Sequence, residues 1–387
     1  MRKSLIFSSI LTTSLTIFAM LFGAGNLIFP LRLGVDCQGN ILPVFLGFTT
    51  TGILLPVLGL IGIVLFDGNY TAFFGRLGNI WGQLLILLCM IIIGPGVVMP
   101  RITGFVYEMT RPFLFGTPLW GFVIGFSLIV FLATYRLNRV LDIIGKFLSP
   151  AKLTSIIGLI TVGAAVGGTL VKEPINTTQL FLTAFKGGYM TLDLLGTIFF
   201  GAIIVKLLAN YGEASINRHK AAIITGLSGV IAGIILGIVY LGITLLGAWH
   251  GRGLELLNPG EIFNIIAFRI LGNWGAAAVA LIIALAGLTT LVSLTLVVSD
   301  YLQRMLKGRL SFQAIVLLVL VFSGILASFG LGEILIKSEP VILLLYPLII
   351  AVTICNILYK LIGFTWIKTP VLLTGIATVW FMFFSGI

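Results

Sequence analysis

A run of small residues, Gly23–Ala24–Gly25–Asn26, interrupts the long apolar segment that extends over about residues 6–33. Little side-chain volume covers the backbone there, and an unpaired amide in an apolar environment costs about 2–7 kcal/mol. Such an interruption is tolerated where the freed groups face protein, water or a ligand. Because the amide end of a helix favours an anion, the run predicts a broken helix whose second half binds the carboxylate of an amino acid.

The alternative interpretation of this run is a strip of small residues against which another helix packs closely. Asn26 favours the break, because its side-chain amide can donate and accept hydrogen bonds where the backbone is irregular. Gly23, Ala24, Gly25 and Asn26 are therefore candidate substrate-binding residues.

A second pattern places Ala286, Thr289 and Thr290 on one face of a helix. Two hydroxyls and a carbonyl can point together from this face, and the backbone carbonyls of Ala19 and Phe22, just before the break, would complete an uncharged cage of oxygens. Such a cage suits a sodium ion. The alternative is that each threonine hydroxyl bonds back to a carbonyl of its own helix.

A third pattern lies in the apolar segment at about residues 191–210, which holds two candidate interruptions, Gly196–Thr197 and Phe199–Phe200–Gly201. The second corresponds better to the break in the first segment. It leaves a short half-helix on the inner side and sets two aromatic rings where they can close over an apolar side chain. Phe199, Phe200 and Gly201 are therefore expected to contact the substrate.

Two charged residues lie within apolar segments. Asp193, near the outer start of the 191–210 segment, is interpreted as an acid in the first helical turn that complements the helix dipole; the alternative is the functional role expected of an intramembrane acid. Arg101 follows the run 94–100, whose two prolines predict a kink, and lies roughly 30 Å from the inner end of its helix at 1.5 Å per residue. We expect its side chain to reach the membrane interface.

A short helix is predicted near the outer surface. Asn258 followed by Pro259 is a good helix start, and the apolar stretch 262–271 that comes next is too short to cross a bilayer. We expect a re-entrant or interfacial helix that acts as an outer lid.

The composition identifies a membrane protein. The 387 residues are 59% hydrophobic and 9% charged, with a mean hydropathy of +1.19, whereas soluble domains have roughly 25% charged residues. The apolar runs are continuous, which excludes the alternating strands of an outer-membrane barrel. About eleven stretches can form spanning helices. They are expected at about residues 6–33, 41–66, 80–109, 118–135, 152–171, 191–210, 220–249, 273–302, 312–329, 340–359 and 369–384.

The first five and the next five predicted spans occupy stretches of similar length, and an odd number makes the second set enter the membrane from the opposite side. Inverted repeats of this kind are typical of secondary transporters, whose sites lie near the midplane on discontinuous helices. We therefore expect one all-α polytopic domain over residues 1–387. Its repeats lie at about 6–171 and 189–359, with broken helices 1 and 6 and an extra helix at about 369–384.

The net charge of +11 falls on the side of the membrane that holds Arg2 and Lys3, because acidic and basic residues balance on the other side. The positive-inside rule then places the amino terminus in the cytoplasm, and no nucleic-acid partner is needed to explain the charge. We expect no enzymatic activity, since His219 and His250 have no neighbouring nucleophile or second ligand. The sequence also has no Walker-type phosphate loop.

Residues 18–30, FAMLFGAGNLIFP, resemble the first-helix signature of the bacterial branched-chain amino acid:cation symporter family. The run 94–101 is similar to the third-helix motif of that family, and the run 188–193, GYMTLD, to its sixth. The resemblance extends over most of the chain. It implies the leucine-transporter fold of the amino acid–polyamine–organocation superfamily and sodium-coupled uptake of leucine, isoleucine and valine in the bacterial inner membrane.

The resemblance also implies roles for single residues: the amides of Ala24 and Gly25 hold the substrate carboxylate, and the sodium site is formed by Ala19, Phe22, Ala286, Thr289 and Thr290. Members usually have twelve spans and a further proline where Leu31–Arg32 stands here. No cofactor is expected besides the coupling sodium, and the oligomeric state is left open.

Two rival functions follow from the same patterns. The first is a proton-coupled or exchange-type amino acid transporter on the same fold, against which the neutral face of Ala286, Thr289 and Thr290 argues. The second, from another class, is an ion channel or a sensory membrane subunit, which could not accumulate a substrate against its gradient.

Overall fold

The computed structural model describes residues 2–135, 153–208 and 218–384, apart from positions 24, 169, 171 and 173, and this part of the chain is helical without strands. Its α-helices are α1 (Arg2–Leu21), α2 (Gly25–Asp36), α3 (Ile41–Thr49), α4 (Leu55–Val64), α5 (Tyr70–Gly75), α6 (Asn79–Ile91), α7 (Val98–Thr110), α8 (Leu119–Tyr135), α9 (Leu153–Ala165), α10 (Thr177–Tyr189), α11 (Asp193–Leu208), α12 (Arg218–His250), α13 (Pro259–Met305), α14 (Phe312–Ala327), α15 (Leu331–Ile362) and α16 (Lys368–Phe384).

The first predicted span is a broken helix, as the sequence indicates. Helix α1 ends at Leu21, α2 begins at Gly25, and their axes are bent by 69°. The side-chain amide of Asn26 donates a hydrogen bond to the carbonyl of Leu21 across the break. This confirms that Asn26 stabilises the irregular backbone.

A second broken helix is formed by α10 and α11, and its break lies at residues 190–192. The predicted break at Phe199–Phe200–Gly201 is therefore wrong, and so is the one at Gly196–Thr197, because α11 is continuous from Asp193 to Leu208. Leu192 instead adopts a left-handed backbone with φ of 62°, and its amide donates to the carbonyl of Tyr189 at 3.1 Å. The span predicted at 191–210 therefore left out the first half of this broken helix, which is α10.

Two spans contain π-helical turns. Residues Thr50–Leu54 join α3 to α4, and residues Ile92–Gly96 join α6 to α7. Gly94, with φ of −97° and ψ of −128°, interrupts the helix there, which confirms the kink predicted from the glycines and prolines of run 94–100. A π-turn holds one residue more than an α-turn and is frequent at functional sites.

The predicted short helix is the first part of α13. Asn258 forms a capping box with Glu261, and Pro259 opens the helix. Gly272, with φ of 68°, breaks α13 after thirteen residues, so residues 259–271 form a separate segment before the long helix at 273–305. We call residues 259–271 the lid helix.

Five helical stretches of the described residues are long and apolar enough to cross a membrane, and the bent pair α1–α2 makes a sixth. The five are Ile41–Val64, Asn79–Phe113, Ala221–His250, Pro259–Met305 and Leu331–Ile362. Four shorter apolar helices accompany them, Leu119–Thr134, Leu153–Ala165, Phe312–Ala327 and Lys368–Met382. The count of eleven spans and the boundaries of the two repeats stay predictions. The expected start of a span at Pro340 is wrong, since that proline lies inside α15.

Close backbone contacts join the broken helices to their neighbours. A Cβ atom on Gly34 of α2 would lie 2.1 Å from the carbonyl oxygen of Thr244 in α12, and one on Gly247 of α12 would lie 2.3 Å from that of Leu31. On the other broken helix, the backbone of α10 lies equally close to Gly47 of α3. Only glycine allows such approaches, so these interfaces are rigid.

Candidate functional site

The two breaks touch each other in the centre of the helix bundle. A Cβ atom on Gly25, the first residue of α2, would lie 3.4 Å from the Cα atom of Thr191 in the break between α10 and α11. Carbonyl ends of two half-helices and amide ends of two others therefore converge on one point. Discontinuous helices of transporters form their substrate and ion sites in this way.

The first break brings three of its four predicted substrate residues to this point, while Ala24 lies outside the described residues. A Cβ atom on Gly23 would meet no atom within 4 Å, so open space adjoins the break there. Asn26 is completely buried, and its Oδ1 atom has no hydrogen-bond partner among the described residues. Contact of these residues with a substrate stays a prediction.

Asp193 lies at the meeting point of the breaks and not at the outer end of a span. It is the first residue of α11, and the expected outer position was wrong because the preceding half-helix α10 was not foreseen. The side chains of Thr191 and Asn26 adjoin its carboxylate. The buried Oδ2 atom has no hydrogen-bond partner in the described structure. Asp193 thus occupies the first turn of a helix, as expected, and is also a half-buried acid at the site, with its Oδ2 atom closed off from solvent.

Two buried tyrosines of neighbouring helices lie within electrostatic range of this carboxylate. They are Tyr240 in α12 and Tyr346 in α15. The amide of Leu194 donates to the Tyr346 hydroxyl at 3.1 Å, and the rings of Tyr346 and Tyr189 lie 4.9 Å apart. The amide end of α11 is therefore partly capped by α15.

Arg101 is buried, with 6% of its surface exposed, so its expected position at the interface was wrong. The expectation counted the distance to the membrane surface along the helix without allowing for the predicted kink, which lies at Gly94. The guanidinium donates to the carbonyl of Met190 at 2.8 Å and to the hydroxyl of Ser338 at 2.6 Å. Arg101 therefore ties α7 to the second break and to α15.

The candidate sodium residues keep the internal bonds of their helix. The hydroxyls of Thr289 and Thr290 donate to the carbonyl of Ala286 at 2.8 and 3.0 Å, as the alternative interpretation expects. A hydroxyl that donates one bond still has oxygen lone pairs for a cation. Ala19 is exposed and Phe22 is buried, and a sodium site formed by all five residues stays a prediction.

Phe199, Phe200 and Gly201 lie in the second and third turns of α11. The Phe199 ring lies 5.2 Å from the tilted ring of Tyr70 and stacks at 6.0 Å on the ring of Phe74, both of helix α5. A Cβ atom on Gly201 would lie 2.3 Å from the side chain of Ile63 in α4. These contacts give Phe199 and Gly201 packing partners away from the break, and their contact with the substrate stays a prediction.

The lid helix is bonded to the end of α7, and the residues just before it are bonded to α2. Asn264 donates to the carbonyl of Met109 at 2.8 Å, and Arg32 donates to that of Leu257 at 3.0 Å. Glu261 also lies 3.6 Å from Arg111. Together with the glycine contacts between α2 and α12, these bonds join the lid helix and the residues just before it to α7, α2 and α12.

Sequence reasoning missed Tyr240, Tyr346 and Ser338 as site residues. The two tyrosines are polar groups inside long apolar spans, whereas Ser338 stands between Lys337 and Glu339. Tyrosine hydroxyls find partners when they are buried, which is the signal that could have singled out the two tyrosines. Nothing in the local sequence shows that their helices meet at the breaks.

The sequence of residues 7–385 matches the family described as branched-chain amino acid transport protein. The branched-chain amino acid permease BrnQ of Bacillus subtilis is 32% identical over 372 residues, which cover 93% of this chain and 83% of the permease. BrnQ of Corynebacterium glutamicum is 32% identical over 382 residues, 97% of this chain and 87% of the relative. These relatives are named as permeases and not as enzymes.

Two solved structures have a similar fold. The inward-facing conformation of Mhp1 matches with a TM-score of 0.65 at 14% identity, over 91% of this chain and 77% of that one. MhsT in complex with L-phenylalanine matches with a TM-score of 0.56 at 19% identity, over 97% and 98%. The fold is therefore the leucine-transporter fold with broken helices 1 and 6. Apolar spans, paired breaks and full-length matches lead to one assignment: this multi-pass membrane protein belongs to the family of branched-chain amino acid transport proteins.

Proposed function

We propose that the protein imports leucine, isoleucine and valine together with sodium by alternating access around the two breaks. The contact between Gly25 and Thr191 carries the proposal, because it joins the ends of four half-helices at one point. The family match and the names of the permease relatives support the choice of substrate.

In this proposal the substrate carboxylate binds to the amide end of α2, at Ala24 and Gly25. The dipole of a helix favours an anion at that end. The aliphatic side chain points to an apolar wall to which Phe199 and Phe200 contribute. Sodium binds between the carbonyls of Ala19 and Phe22 and the face of α13 that carries Ala286, Thr289 and Thr290.

The end of the molecule with the lid helix and the α2–α12 contacts faces the outside in this proposal. The amino terminus then lies in the cytoplasm and the protein in the bacterial inner membrane, in agreement with the positive charge on that side. Because glycine contacts lock α2 to α12, these two helices move as one unit when the outer side opens. In this proposal α1, which carries the exposed Ala19, lies on the inner side of the break.

The experiment that tests the proposal is uptake of radiolabelled leucine by the purified protein in liposomes. An imposed inward sodium gradient should drive leucine above its external concentration, and isoleucine and valine should compete while lysine and glutamate do not. A choline gradient of equal strength is the control. Accumulation driven by a proton gradient alone would show that the coupling ion is a proton and not sodium. Exchange without net accumulation would indicate an exchanger. The absence of any accumulation would favour a channel or sensor.

A further inference from the structure

Three buried polar atoms without hydrogen-bond partners lie on helices that meet at the breaks. They are Oδ1 of Asn26 in α2, Oδ2 of Asp193 in α11 and the hydroxyl of Tyr240 in α12. Asn26 adjoins the Asp193 carboxylate directly, and Tyr240 interacts with it electrostatically. We call these three groups, which face the region of the two breaks from α2, α11 and α12, the Asp193 cluster.

Burial without partners is costly for each of these groups. An unsatisfied buried polar atom costs about 1–3 kcal/mol, and more when it is charged. The groups next to the carboxylate are all neutral, namely the side chains of Thr191, Asn26, Tyr240 and Tyr346. No described lysine or arginine is among these neighbours, and Arg101 directs its guanidinium to Met190 and Ser338. The cluster thus lacks a positive charge.

We propose that the Asp193 cluster is a binding site for a monovalent alkali cation of the size of sodium, separate from the face formed by Ala286, Thr289 and Thr290. A carboxylate, an amide oxygen and a phenol oxygen are hard ligands that suit such an ion. A divalent ion requires more carboxylates, and the cluster has one. Its atoms are closed off from solvent, which fits a small ion better than an organic ammonium group.

The position of the cluster links this cation to transport. Asn26 follows Gly25 in the chain, and its side-chain nitrogen donates a hydrogen bond to the carbonyl of Leu21 at the end of α1. Asp193 is the first residue of α11 after the second break. A cation here would therefore hold α2, α11 and α12 together beside the proposed substrate carboxylate. This role rests on the proposed function, but cation binding itself does not.

The test uses the full-length protein purified in detergent and titrated with sodium chloride against choline chloride without any amino acid. Sodium should raise the melting temperature of the parent protein. Asp193→Asn, which keeps the shape of the side chain, should raise the sodium concentration for half-maximal stabilisation by about tenfold or more, and Tyr240→Phe by roughly threefold, since a charged ligand contributes more than a neutral one.

Thr225→Val is the matched control. Thr225 lies on α12 like Tyr240, and its buried hydroxyl also has no partner in the described structure, but it is not a neighbour of Asp193. This variant should leave the sodium dependence unchanged. If Asp193→Asn does not fold, Tyr240→Phe still tests the cation site, because this substitution removes a single oxygen atom and leaves the rest of the side chain in place.

The proposal is overturned if Asp193→Asn and Tyr240→Phe both respond to sodium like the parent. It is also overturned if only pH, and not sodium, changes the stability of the parent through Asp193, since the carboxyl group then carries a proton. A leucine titration of the same samples tests the proposed function separately. Absence of any leucine effect together with a sodium effect that depends on Asp193 would reject the amino acid substrate and keep the cation site.

Discussion

Gly25 and Gly34 stand nine residues apart in the sequence of the first span, yet their surroundings differ. A methyl group fits at Gly25, at 3.4 Å from Thr191, whereas at Gly34 it would collide with the Thr244 carbonyl at 2.1 Å. The fold therefore has room for alanine at Gly25 and has none at Gly34. In the proposed function Gly25 has a binding role, whereas Gly34 has a packing role.

Gly25→Ala is accordingly expected to give a folded, membrane-inserted protein that binds leucine poorly, because the new methyl group intrudes on the proposed carboxylate position. Sodium stabilisation should persist at least in part. Thermal melts of the purified variant with sodium, and with sodium plus leucine, measure both effects. Gly34→Ala, the control, should lower expression and melting temperature even without ligands. Leucine stabilisation of Gly25→Ala equal to that of the parent would place the carboxylate elsewhere.

Thr290→Val removes one proposed sodium ligand and keeps the shape of the side chain. It should raise the sodium concentration that gives half-maximal leucine uptake several-fold while expression changes little. Thr295→Val is a matched control on the same helix, because the Thr295 hydroxyl also bonds to its own helix, at 2.7 Å from the Leu291 carbonyl, but is not part of the proposed site. If Thr289→Val and Thr290→Val both show the sodium dependence of the parent, this site does not bind the ion.

At the level of elements, the two breaks differ in how visible they are in the sequence. The first contains two glycines and an asparagine, so its position could be predicted. The second consists of Met190, Thr191 and Leu192, none of which is a usual helix breaker, and Leu192 is held in a left-handed conformation by tertiary contacts. Local sequence favoured the glycine at 201, which instead allows α4 to approach.

The position of Asp193 could not be predicted for the same reason, because an error of one half-helix moved it from the centre to the outer end. The burial of Arg101 depends on its partners Met190 and Ser338, which are distant from it in the sequence. The broken first helix, the kink at Gly94 and the capped lid helix were predictable, because glycine, proline and capping residues act through the local backbone.

Arg101 connects α7, the second break and α15, and its removal should lower the stability of the folded protein. Arg101→Met leaves the Met190 carbonyl and the Ser338 hydroxyl without their donor, so the free energy of unfolding should fall by about 2–3 kcal/mol. Ser338→Ala should cost about 1 kcal/mol. Denaturant titration in detergent measures both. The double variant should be less destabilised than the two single effects together, because both remove the same bond; full additivity would show that the bond contributes nothing.

For the whole molecule, the family match and the fold agree on a carrier for apolar amino acids, and selectivity among ligands tests the pocket directly. Each buried methylene contributes about 0.8 kcal/mol, and norvaline has two more than alanine. Norvaline should therefore compete with labelled leucine roughly 15-fold better than alanine. Competition assays in liposomes give the inhibition constants. Equal inhibition by alanine, lysine and leucine would show that the pocket is not apolar.

The π-turn at Thr50–Leu54 has a consequence for the length of the chain. Because such a turn contains one surplus residue, deletion of Thr50 should restore a plain α-helix and leave α3 and α4 in their present orientation. Deletion of one residue within α3 should instead rotate the remainder of that helix by about 100° and turn its packed face away from α10. Thr51 bonds to the Phe185 carbonyl at 2.7 Å and must be retained. Family members one residue shorter in this span are therefore expected to have lost that residue from the π-turn, and a single-residue deletion scan, read out by expression and leucine uptake, would show tolerance confined to it.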